Sequence, residues 1–157
     1  MKGVWGRVAM VAAALVVVNL VSRLAVRIAD PGEDAEFAIG LWSLGGMVVV
    51  LAVAVFLWAR RYFVPQVLGY AGVVIGASSV LVTVIGPFVS GTGPFEDGIG
   101  TFLLQLVICA AVLAVGATLG LLTAMALGLD PTSRAWKRQA ERVRTSTRQR
   151  QRRTARR

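Results

Sequence analysis

Three polar residues share one helical face early in the chain: Asn19, Arg23 and Arg27, spaced i, i+4, i+8. On a helix of 3.6 residues per turn such a face drifts by only about 40° per step. A fourth polar residue, Gln105, falls at a comparable depth in a later apolar run. Carboxamides at such positions hydrogen-bond between helices, and a guanidinium pairs with a carboxylate or holds an anion. Arg23 has two options at the edge of a hydrocarbon layer. It can extend its head to the lipid headgroups, or turn inward to pair with Glu96, Asp97 or Gln105.

These residues do not form a catalytic set. The chain has no histidine, which removes the commonest general base and metal ligand at neutral pH. Its one cysteine, Cys109, has no partner for a redox pair. No zinc, phosphate-loop or nucleophile-elbow motif occurs, and Ser78–Ser79 has no histidine to activate it. The apolar runs hold no acid, so the carboxylate of a proton relay is missing. The remaining hydroxyls within the runs can bond back to their own helix carbonyls. The expectation is a protein without catalysis, cofactor or metal.

Long apolar runs must carry the polar face. Apolar residues make up 56% of the 157 positions and charged residues 16%, against about a quarter charged in soluble domains. Mean hydropathy is +0.70. Four runs, at about 4–28, 37–59, 64–89 and 101–127, each exceed the roughly 20 residues needed to cross a bilayer. The first is read as a retained span, because no small-residue cleavage site follows it before Asp30. The predicted fold is therefore an all-α membrane protein. Residues 1–129 form a four-transmembrane-helix bundle. Residues 130–157 form a basic tail, first a short amphipathic helix and then a disordered end.

Charge sets the expected orientation. Arg60–Arg61 sits between the second and third runs and reads as a tight hairpin. Lys2, Arg7, Arg60, Arg61 and the tail fall on one side of the membrane, and the loop acids Asp30, Glu33, Asp34, Glu36, Glu96 and Asp97 on the other. Cations mark the cytoplasmic side, so both termini are expected there. Trp5, Trp58 and Trp136 agree, at the inner interface, with Trp42 nearer the outer one. Pro65 belongs in a first helical turn, and Pro87 is expected to end or kink the third span.

Gly72–Gly76 and Gly116–Gly120 are both GxxxG pairs. Small residues at this spacing let helix backbones approach closely. The expectation is contact between the third and fourth spans, with a dimerisation face as the alternative. From Arg134 onward the chain has eleven basic residues and one acid, so the tail exceeds the whole net charge of +9. Trp136, Lys137, Arg138 and Arg142 are expected at the anionic inner leaflet. A specific nucleic-acid role is not expected.

Alanine, valine, glycine and arginine usage points to a GC-rich bacterial genome and its cytoplasmic membrane. The functional expectation is an accessory, assembly or scaffold subunit whose tail holds anionic lipid or a membrane-protein partner, or that associates with itself. One alternative is a small oligomeric transporter or channel. Another is a lysis protein, since several short spans with a polybasic C-terminal tail resemble holins in outline.

Overall fold

A computed structural model of the chain describes residues 2–29, 32–91, 93, 95–96, 98–131, 133–136, 139–141 and 144, without the side chains of Lys2, Glu33 and Ser90. Four long helices make up the body: α1 Lys2–Ala29, α2 Glu33–Ala59, α3 Val64–Ser90 and α4 Ile99–Ala126. No strand occurs among the described residues. Each helix is long and apolar enough to span a membrane. At 1.5 Å per residue each measures about 40 Å, more than the roughly 30 Å of hydrocarbon. The described residues are helical throughout the body, and four such helices are compatible with a multi-pass membrane protein.

Two boundaries differ from the sequence expectation. Helix α2 begins at Glu33 rather than near Phe37, so Glu33, Asp34 and Glu36 belong to its first turns and not to a loop. Acids are favoured there because the first helical N–H groups leave a partial positive charge. The carbonyl of Gly32 accepts from the N–H groups of Ala35 and Glu36 at 2.9 and 3.1 Å. Helix α3 runs through Pro87 to Ser90 and stops at Gly91, whose φ of 87° is left-handed. A glycine adopts that conformation without the Cβ clash that other residues suffer.

Packing follows a ring order of α1, α2, α4, α3. Helix α2 packs most extensively on α4, and α1 on α3. Helices α2 and α3 touch little, so the Arg60–Arg61 turn joins diagonal helices rather than a packed hairpin. The glycines explain this order. A Cβ on Gly116 would lie 2.7 Å from the Val48 carbonyl oxygen, and one on Gly120 would collide with the Ala52 carbonyl. The motif of α4 is therefore spent on α2. Gly72 and Gly76 have no neighbour within 4 Å of a built Cβ. The expected α3–α4 glycine contact is corrected accordingly: a GxxxG pair permits close approach but does not name its partner.

Aromatic rings tie the end of the bundle where α2 and α3 diverge. Tyr70 of α3 takes edge-on contacts from Trp5 of α1 at 6.3 Å, Trp58 of α2 at 6.2 Å and Tyr62 of the turn at 5.7 Å. Such edge-to-face pairs add about 0.5–1.5 kcal/mol each beyond area burial.

After α4 the chain turns at Gly128, with φ 62°. The N–H of Gly128 donates to Met125 O at 2.8 Å and that of Leu129 to Ala124 O at 3.0 Å, the bond pair of a Schellman cap. Asp130 then starts a new helical turn. Its Oδ2 accepts from the Ser133 N–H at 2.9 Å, and its carboxylate is buried. Asp130→Ala should remove this cap at a cost of about 0.5–2 kcal/mol. Amide exchange at residues 133–136 should then accelerate while that of α4 stays unchanged. Unaltered exchange at Ser133 would show that the cap does not hold the turn.

Candidate functional site

The polar face of α1 turns inward, onto the end of α3. The Arg23 Nε–H donates to Asn19 Oδ1 at 3.0 Å. The same guanidinium lies on Gly86, where a Cβ would come within 2.7 Å of Nε. Arg27 Nη1 donates to the Val89 carbonyl at 2.7 Å. The last carbonyls of a helix lack intrahelical partners and carry partial negative charge, so two cations there are well placed. Of the two sequence readings of Arg23, the inward one describes its direction: the guanidinium lies against the C-terminal backbone of α3 and on the wall of the bundle, not out toward headgroups. Glu96 instead caps its own loop, accepting from the Gly93 N–H at 2.8 Å. Asp97 lies outside the described residues.

Above this contact is a cavity of about 580 Å³. Arg23 and Asn19 of α1, Ser43 of α2, Val82 of α3, and Gln105 and Cys109 of α4 all line it. It thus joins three of the four predicted polar residues, Asn19, Arg23 and Gln105, and not Arg27. Gln105 and Asn19 reach the same cavity, yet Asn19 gives its carbonyl to Arg23 of its own helix, and Gln105 is exposed.

A tier of small polar groups crosses the bundle at the floor of this cavity. Asn19, Ser43 and Cys109 each lie ten residues from that end of their helices, or about 15 Å down the axis. Ser79 of α3 lies beside Cys109. One turn further along each helix come Leu15, Met47, Val74 and Leu113, all at 0–1% exposure. These four apolar side chains, from four different helices, close the bundle beneath the tier.

The hydroxyls divide into two groups. Ser22, Thr118 and Thr123 return their protons to the carbonyl four residues back, at 2.7–2.9 Å. Ser43, Ser78 and Thr83 are buried and their hydroxyls have no hydrogen-bond partner, and the buried Ser79 hydroxyl has the Cys109 thiol as its neighbour. Sequence reasoning held only that such hydroxyls can back-bond and did not separate the two groups. The i, i+4 pair Ser79–Thr83 on one face of α3 was the available signal that some point into the bundle.

The other end of the bundle is basic. Arg7 of α1, Arg60 and Arg61 of the turn, and Arg134 after α4 surround a recess of about 470 Å³ whose wall includes Leu57 and Trp58. Arg60 also lies 6.0 Å from the ring centroid of Phe56. Trp136, expected at a lipid surface, is 70% exposed. Lys137, Arg138 and Arg142 lie outside the described residues, as does everything beyond Arg144. No group of three or more potential metal ligands occurs among the described residues. Comparison of the chain with protein-family models, with curated proteins and with solved structures finds no match.

Proposed function

We propose that this chain is a non-catalytic accessory or scaffold protein of the bacterial cytoplasmic membrane, with both termini inside, seated on anionic lipid through its basic end. The observation that carries the reading is the convergence of Arg7, Arg60, Arg61 and Arg134 on one recess. These residues come from three separate stretches of chain, so the fold gathers their charge in one place. The cationic tail continues from the same end, beginning at Arg134. The acids Glu33, Asp34, Glu36 and Glu96 belong to the opposite end. A basic juxtamembrane surface gains about 1 kcal/mol per cation held close to anionic headgroups.

The apolar layer of Leu15, Met47, Val74 and Leu113 favours this reading over a permanently open channel. The exposed Gly72–Gly76 face leaves room for a partner helix, as an accessory subunit requires. Phosphatidylglycerol added to the purified full chain in neutral detergent should raise its melting midpoint, and phosphatidylcholine should not. Changing Arg7, Arg60, Arg61 and Arg134 together to glutamine should remove most of that rise. Added salt should reduce it by screening. An equal effect from both lipids would overturn the electrostatic reading.

A further inference from the structure

The cavity at the end opposite the arginine recess is unused by lipid anchoring, and its walls specify a ligand. On one flank Phe37 and Leu41 of α2 are 75% and 61% exposed, and on the other Ile108 of α4 is 49% exposed. All three line the cavity, so it opens sideways between α2 and α4. In a membrane-spanning bundle, that side faces lipid. A molecule entering there must itself be dissolved in the bilayer.

The floor asks for a polar atom. Ser43 is 7% exposed, lines the cavity, and its Oγ has no hydrogen-bond partner. A buried hydroxyl left unpaired costs about 1–3 kcal/mol, which an acceptor atom on a ligand would offset. That atom should belong to a neutral group, because a charge at that depth is costly and Arg23, the cation on the wall, already donates to Asn19. A second donor, the Gln105 carboxamide, stands one helical turn from Cys109 on the cavity wall, about 6 Å nearer the N-terminal end of α4. The remaining wall carries the charged side chains Arg23 and Glu36 beside Asn19 and Ser22 and is otherwise aliphatic and aromatic; the volume is in the ordinary range of small-molecule sites.

We propose that this cleft binds a neutral, lipid-soluble molecule with two separated carbonyl acceptors, of which a quinone with a hydrocarbon chain is the type. One carbonyl accepts from Ser43 Oγ at the floor and the other from Gln105 nearer the N-terminal end of α4. The chain leaves between α2 and α4 into the lipid. The proposal concerns binding alone.

Decylubiquinone titrated into the purified full chain in detergent tests it, with dodecanol and dodecanoate as separate arms. The quinone should raise the melting midpoint saturably. Ser43→Ala should weaken the apparent affinity about 3- to 10-fold, as loss of one neutral hydrogen bond does. Gly40→Leu should abolish binding. Gly40 lines the cavity and a Cβ there meets nothing within 4 Å, so a leucine fills the cleft without disturbing the fold. Unchanged midpoints of the unliganded variants establish that both remain folded. A saturable response to dodecanoate in place of the quinone overturns the neutral-carbonyl assignment. No saturable response to the quinone, or the same affinity in wild type and Gly40→Leu, overturns the site.

Discussion

Gly120→Leu should lower the melting midpoint in detergent by about 6–12 °C, whereas Gly76→Leu should leave it nearly unchanged. The two residues hold equivalent places in identical motifs, so composition and helix propensity predict the same effect for both. Geometry separates them. A side chain at Gly120 runs into the Ala52 carbonyl of α2, and that oxygen belongs to a helix backbone that cannot step aside alone. Overpacking of a close contact costs about 1–3 kcal/mol and occasionally more. For a chain of this size, 3 kcal/mol corresponds to about 6–12 °C. A leucine at Gly76 meets open space and adds apolar surface on a lipid-facing side. Oligomeric state, read by light scattering on the same samples, adds a second outcome. If Gly76→Leu dissociates a dimer, the α3 motif is a self-association face. If both substitutions cost the same midpoint, the α2–α4 contact is not the tight seam described above.

Arg23→Gln should destabilise the bundle by about 1.5–3 kcal/mol, the usual worth of a hydrogen bond made by a charged group. Arg23 holds Asn19 on its own helix and lies against Gly86 on α3. Gly86→Ala should act through the same contact, because a methyl group there displaces the guanidinium. The double variant should therefore lose little more than the worse single one, since sites that share a contact are non-additive. Arg27→Gln, which removes the bond to the Val89 carbonyl, should also destabilise. Simple addition of the Arg23 and Gly86 losses would mean that the arginine does not depend on the glycine surface.

Hydropathy and length made four spans legible, because twenty or more uncharged residues have few alternatives to a membrane helix. The polar stripe of α1 was legible as a face. Its direction was not: lipid headgroups and helix-terminal carbonyls both satisfy a guanidinium, and only the position of the α3 terminus decides between them. The start of α2 was missed because acids look like a loop, yet a helix N-terminus favours them equally. Ser43 was invisible for a different reason. A serine in an apolar run bonds to its own helix or points inward according to its neighbours, and those neighbours lie on other helices. The gathering of Arg7, Arg60, Arg61 and Arg134 into one recess likewise depends on the ring order of the helices, which no single segment encodes.

The claim that the basic end meets the cytoplasmic leaflet is tested most directly by labelling single cysteines in intact bacterial cells. The background is Cys109→Ala, which removes the one native thiol. Phe95→Cys marks the connection between α3 and α4, and Phe63→Cys the Arg60–Arg61 turn; both native residues are exposed, at 58% and 60%. A membrane-impermeant maleimide should label Phe95→Cys in intact cells and reach Phe63→Cys only after the cells are permeabilised. Labelling of Phe63→Cys in intact cells, with Phe95→Cys protected, would place the arginine recess outside and contradict the proposed function.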